Sequence, residues 1–118
     1  MFLIILDVYA LDYLNNKILW AKNFQIPFRS NIKISNNIII VSDQNNSLYF
    51  LNKFDGSKTR VVPTEDTTLK NNFINSIAIS TNSFLFLNTY GSLYSFDSED
   101  LKINWFINLN QSFDLSIN

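Results

Sequence analysis

Short apolar runs rich in β-branched and aromatic residues alternate with clusters of Asn, Ser and Asp along the whole chain, and no window holds a helical period over three turns. Runs of this kind, bounded by turn-forming residues, are strands. They are expected near 2–6, 8–13 and 17–23, then 31–35, 38–42, 47–52 and 58–62, then 75–80, 83–88, 92–97 and 102–109. Ile38-Ile39-Ile40-Val41 and Phe84-Leu85-Phe86-Leu87 are apolar at consecutive positions, so both faces of those strands need a cover. Ile103, Trp105, Ile107 and Leu109 alternate with Asn104 and Asn108, the pattern of an outer strand packed on one face. Ile18, Trp20 and Phe24 hold corresponding places earlier in the chain.

The pattern repeats. Val8-Tyr9-Ala10-Leu11-Asp12 returns as Leu48-Tyr49-Phe50-Leu51-Asn52 and again as Leu93-Tyr94-Ser95-Phe96-Asp97, with the tyrosines 40 and then 45 residues apart. Between the second and third copies Ile32, Ile34, Ser35, Asn37, Ser47, Leu48 and Tyr49 recur in kind 45 positions later. Periods of this length belong to stacked β-propeller blades. Each unit reads as four strands: one ending in Ile-x-Ile-Ser, a central apolar run, the Leu-Tyr strand, and an outer strand. The expected fold is therefore all-β, built of antiparallel four-stranded propeller blades. Residues 1–24 read as the end of one blade, 30–63 and 75–109 as complete blades, 64–74 as the loop between them, and 110–118 as the start of another.

On this reading the chain opens inside a unit and closes inside the next, since Ile117 lies twelve residues past Trp105 as Ile32 lies twelve past Trp20. The pattern predicts a portion of a larger propeller, or else several short chains closing one ring. Inside the repeat, the second unit is five residues longer than the first, and the excess falls in the polar stretch 64–72. Loops between blades carry contacts, so Glu65, Asp66, Leu69 and Lys70 are candidate partner-contact residues, with Leu69 the isolated apolar anchor.

Composition mainly removes possibilities. With 9 basic and 10 acidic residues in 118, the chain offers no basic face for nucleic acid and no polybasic membrane patch. The apolar start Met1–Leu6 is too short for a membrane span and fits a buried strand. No Cys and no His leave no thiolate and no imidazole, which removes the commonest metal ligand and the most frequent general base. Gly occurs only twice, and the pairs Asn15-Asn16 and Asn45-Asn46 are expected to take left-handed turn positions in its place. The acidic pairs Glu65-Asp66 and Glu99-Asp100 fall in turns, where local hydrogen bonding accounts for them. No spacing supports a nucleophile with its base, so the chain is expected to be no enzyme.

Ala10-Leu11-Asp12, Asn16-Lys17 and Trp20 together resemble the tryptophan-docking motif of the PQQ-like (quinoprotein-type) propeller repeat family. Asp12 to Trp20 and Asp97 to Trp105 keep the eight-residue spacing of that motif. The second copy keeps the glycine turn at Gly56 but has Arg60 where Trp is expected, and the third has Leu101 in place of the glycine. The resemblance implies that Trp20 and Trp105 pack flat on a neighbouring blade, each burying on the order of 200 Å², while Asp12 and Asp97 tie down the turn before the outer strand. Two functions occur in this family. One is dehydrogenation with PQQ and calcium; the other is a non-catalytic scaffold in the outer-membrane β-barrel assembly machinery. The compact, insertion-free blades resemble the scaffold, which implies a protein partner, a periplasmic or outer-membrane-associated place, and no cofactor or metal. A dehydrogenase portion and a ligand-sensing propeller domain are the alternatives.

Overall fold

The computed structural model describes residues 5–66 and 74–109. All of its elements are strands, in three antiparallel sheets. Blade 1 is a hairpin of β1 (Ile5–Asp12) and β2 (Lys17–Phe28). Blade 2 runs β3 (Lys33–Ser35), β4 (Ile38–Ser42), β5 (Leu48–Asn52) and β6 (Lys58–Val62), paired in that order. Blade 3 repeats the plan with β7 (Ser76–Ile79), β8 (Ser83–Leu87), β9 (Ser92–Asp97) and β10 (Ile103–Asn108). The four-strand unit read from the 45-residue period is thus the unit of the fold.

Strand alternation sends the two faces of blade 2 into different cores. Ile39, Val41, Tyr49 and Leu51 pack with Val8, Phe24 and Phe28 of blade 1, and Trp20 lies against the same cluster. Ile40, Leu48, Phe50 and Val62 pack with Ile77, Phe84, Phe86, Tyr94 and Phe96 of blade 3. Successive side chains of a strand point to opposite faces, so a run apolar at every position serves both interfaces at once. Edge-on contacts order the rings in each core: Phe24 lies 4.9 Å from Phe28, Phe28 lies 5.4 Å from Tyr49, and Phe50 lies 5.5 Å from Phe96.

Four expectations shift. The segments near 2–6 and 8–13 join, as far as they are described, into the single strand β1. Its polar interruption Asp7 stays in the ladder because its carboxylate accepts the Asn23 side-chain amide and faces the Tyr9 hydroxyl. β2 continues past residue 23 to Phe28, through a large bulge between the Asp7–Asn23 and Ile5–Phe28 pairs. The first strand of blade 2 is short, because the Asn31 side chain bonds blade 3 instead, donating to the Ile77 carbonyl (2.8 Å) and accepting its N–H (2.9 Å). Finally, β8 is covered on one face only and β10 is exposed on both, since no described residue packs over the far side of blade 3. The proposed start of a further blade, 110–118, lies outside the described residues.

Candidate functional site

The polar chemistry of the described residues gathers where blades meet, at two kinds of seam. The first is the turn before each outer strand. In all three blades this turn opens on Asp or Asn: Asp12 accepts the N–H groups of Leu14 (3.2 Å) and Asn15 (3.3 Å), Asn52 that of Phe54 (2.8 Å), and Asp97 those of Glu99 (2.8 Å) and Asp100 (3.1 Å). Four residues later each turn reaches positive φ, at Asn16 (57°), Gly56 (75°) and Leu101 (61°). The Asp12 and Asp97 carboxyls are held below their ordinary range, Asp12 chiefly by the Asn15 amide and Asp97 by the N–H groups of Asp100 and Glu99.

Trp20 uses this turn. Its indole Nε1 donates to the Lys53 carbonyl at 2.8 Å, joining blade 1 to blade 2. A Cβ added to Gly56 would stand 2.6 Å from Trp20 Cε3 and 2.8 Å from Lys22 Cγ, so the ring requires a turn without a side chain. One blade on, the same seam has different partners. Arg60 stands where the indole was, and Leu101 replaces the glycine, buried in the core between blades 2 and 3 despite its positive φ. Trp105 belongs to the outer strand of blade 3 and is 47% exposed, with no described blade beside it.

The second seam lies at the other end of the strands, around the turn after β4. Asp43 is fully buried. Its Oδ1 accepts the N–H groups of Asn45 (2.9 Å) and Ser47 (3.0 Å), and its Oδ2 accepts the Tyr49 hydroxyl at 2.7 Å. In blade 3 the equivalent residue is Asn88, whose Oδ1 accepts the N–H groups of Gly91 (3.1 Å) and Ser92 (3.0 Å) in the same way. An amide has no second carboxylate oxygen to offer Tyr94. Glu65 supplies it: its carboxylate accepts the Tyr94 hydroxyl and Ser92 Oγ (2.7 Å), with the Asn88 amide at 3.4 Å.

Burial works against the charge on Glu65, yet the donors Tyr94, Ser92 and Asn88, with a backbone N–H, outweigh it and hold the carboxyl below its ordinary value. Burial first, and then the facing Glu65 carboxylate, push the Tyr94 phenol well above the usual tyrosine range. The chain around Glu65 is fixed as well. Asn46, at positive φ, donates its amide to the Glu65 carbonyl (2.8 Å) and accepts the Thr89 hydroxyl (3.0 Å), while Thr64 donates its hydroxyl to the Asn46 carbonyl. Asn75, wholly buried, donates to Ser42 Oγ and the Asp43 carbonyl (both 3.0 Å) and accepts the Thr89 N–H (2.9 Å).

Of the loop residues proposed from sequence, Glu65 thus turns its carboxylate onto its own chain. Asp66 is exposed beside it, and Leu69 and Lys70 lie outside the described residues. Among the described residues no three carboxylates, imidazoles or thiolates converge on a common point for a metal ion. No helix among them is long and apolar enough to cross a membrane. Asp43 and Asn75 were missed as seam residues. The one available signal was that position 43 changes from Asp to Asn at 88 while the tyrosine six residues on is kept.

Stacked antiparallel four-stranded sheets, joined face to face through paired apolar cores, define a segment of a β-propeller. The same arrangement occurs in BamB from Moraxella catarrhalis, which superposes on 86% of this chain with a TM-score of 0.76 at 16% identity. A protein from Bacteroides fragilis NCTC 9343 superposes on 87% with a TM-score of 0.56 at 12% identity. The chain spans about a third of each, 31% and 29% of their lengths. No family profile matches the sequence, and no curated protein matches it.

Proposed function

We propose that the chain contributes blades of the PQQ-like repeat class to a non-catalytic propeller scaffold for protein–protein interaction, of the kind found in the outer-membrane β-barrel assembly machinery. The observation that carries this reading is the fold shared with BamB over most of the chain. The seams support it. Asp12, Asp43, Glu65 and Asp97 serve turns and blade joints, leaving them engaged in holding the stack. A scaffold of this kind works in the periplasm, bound at the outer membrane through its partner. The partner meets the loop between blades 2 and 3, where Leu69 is the anchor, Asp66 and Lys70 flank it, and Glu65 fixes the root.

Co-purification with the outer-membrane assembly machinery of a Gram-negative host tests the proposal. Retention by the wild-type chain, and its loss on deleting residues 67–71, is the expected result. Equal retention by the deletion variant makes the loop a spacer, and no retention by either removes the scaffold reading. Stoichiometric uptake of PQQ with Ca²⁺ would replace it with the dehydrogenase.

A further inference from the structure

The three outer strands are equivalent in the fold, yet they differ in what guards their free edges. β2 carries Lys17, Lys22 and Pro27, and β6 carries Lys58 and Arg60 with Pro63 directly after it. Charges and prolines on an edge strand oppose the addition of another strand. β10 is the outermost strand of its sheet and has neither between Ile103 and Leu109. Ile103, Trp105, Phe106, Ile107 and Leu109 are all exposed, Phe106 the most at 57%.

The sequence of this edge is a chemical palindrome. Ile103-Asn104-Trp105-Phe106-Ile107-Asn108-Leu109 reads apolar, Asn, apolar, Phe, apolar, Asn, apolar in either direction. An antiparallel pair related by a two-fold axis through Phe106 sets Phe106 against itself, Trp105 against Ile107 and Asn104 against Asn108 within β10. Like meets like at every pair. The backbone agrees with that centre. Leu109 donates its N–H to the Gly91 carbonyl at 2.9 Å, so by strand alternation Ile107 and Trp105 also address β9, and the peptide groups of Phe106 face outward. Directly opposite residues that face one another in this way exchange two backbone hydrogen bonds.

The side chains carry the same message. Phe86, Tyr94 and Phe106 form a row across β8, β9 and β10, with Phe86 6.5 Å from Tyr94, and Phe106 stacked on Tyr94 at 5.2 Å and 16°. The row stops at the exposed Phe106, and its mirror in a second copy would continue it.

The geometry points to β10 as a self-pairing edge: two copies of this chain join through antiparallel β10 strands centred on Phe106. The bulge between Ile103 and Trp105 twists the start of the strand and keeps the regular pairing short. Such a contact is small, below about 1,200 Å², and a dissociation constant on the order of tens of micromolar is expected.

Light scattering and sedimentation from about 5 to 500 μM, a range bracketing that affinity, measure it, with circular dichroism confirming that each variant is folded. The wild-type chain should pass from monomer to dimer over this range. Phe106→Lys and Phe106→Glu should each weaken self-association at least tenfold, because like charges meet on the axis, and an equimolar mixture of the two should form the heterodimer. Should substitution of Phe106 unfold the chain, Asn104→Lys with Asn108→Asp should keep the dimer, and Asn104→Lys with Asn108→Lys should lose it. A wild-type monomer throughout, or association that survives Phe106→Lys unchanged, overturns the proposal.

Discussion

The Tyr94 hydroxyl donates to Glu65, a residue 29 positions upstream, whereas its counterpart Tyr49 donates to Asp43 in its own blade. The carboxylate that closes the tyrosine seam has moved from the turn after the central strand to the segment entering the blade. Glu65→Gln should therefore cost about 1 kcal/mol, because the Tyr94 and Ser92 hydroxyls lose a charged acceptor. Adding Asn88→Asp to that variant rebuilds the blade 2 arrangement in blade 3 and should recover most of the loss. Urea midpoints of the two single variants and the double variant measure the coupling; strict additivity would separate the two positions.

The same carboxyl fixes a pH dependence. Its folded value lies below its unfolded value, so its stabilisation is present above the unfolded pKa and is lost as pH falls through the folded one. Wild type should lose stability faster than Glu65→Gln as pH drops below about 4.5, and the two should converge in more acid solution. Thermal melts at stepped pH, compared as a difference, report it.

Gly56 and Trp20 form a lock of ring and bare backbone. Gly56→Ala places a methyl group against the indole and a side chain at positive φ, and should cost about 2 kcal/mol or more. Trp20→Ala should cost about 1–3 kcal/mol, less than the loss of a fully buried indole, since the ring is only partly covered. Trp105→Ala should cost less than either in this chain, because that indole is half exposed. Denaturant unfolding of the three variants gives the order.

Arg60 and Leu101 hold the positions that correspond to Trp20 and Gly56 one blade later. Leu101→Gly alone should destabilise by about 2–4 kcal/mol through an unfilled space in the core between blades 2 and 3. Arg60→Trp alone meets the Leu101 side chain. Combined, the two changes recreate the Trp20–Gly56 pair one blade later, and the double variant should be more stable than the sum of its parts by at least about 1 kcal/mol. A coupling near zero would show that the two turns do not share a packing rule.

Periodicity carried the architecture. Strands 38–42, 58–62 and 92–97 fall within a residue of their expected bounds because alternation, β-branching and Asn or Gly turns all agree there. Asn16 and Asn46 do sit at positive φ, as the scarcity of glycine suggested. Three things escaped. Asp7 reads as a strand break, and its pairing with Asn23 across the hairpin, beside the Tyr9 hydroxyl, keeps it in the ladder. Glu65 reads as a solvated loop acid, because nothing local reveals that an Asn 23 residues later has left a tyrosine without its carboxylate. Leu101 looks like a defect in a glycine turn until the absent indole one blade earlier explains its room.

Because odd and even positions of β4 and β5 serve different cores, the described residues behave as three plates with two joints in series. A substitution at Ile39 or Tyr49 loosens the first joint and leaves the second intact, and one at Ile40 or Phe50 does the reverse. Units that touch only their nearest neighbours lose order stepwise from an end. Amide exchange should accordingly slow toward β4 and β5, and blade 1, held by one joint through two strands, should open first.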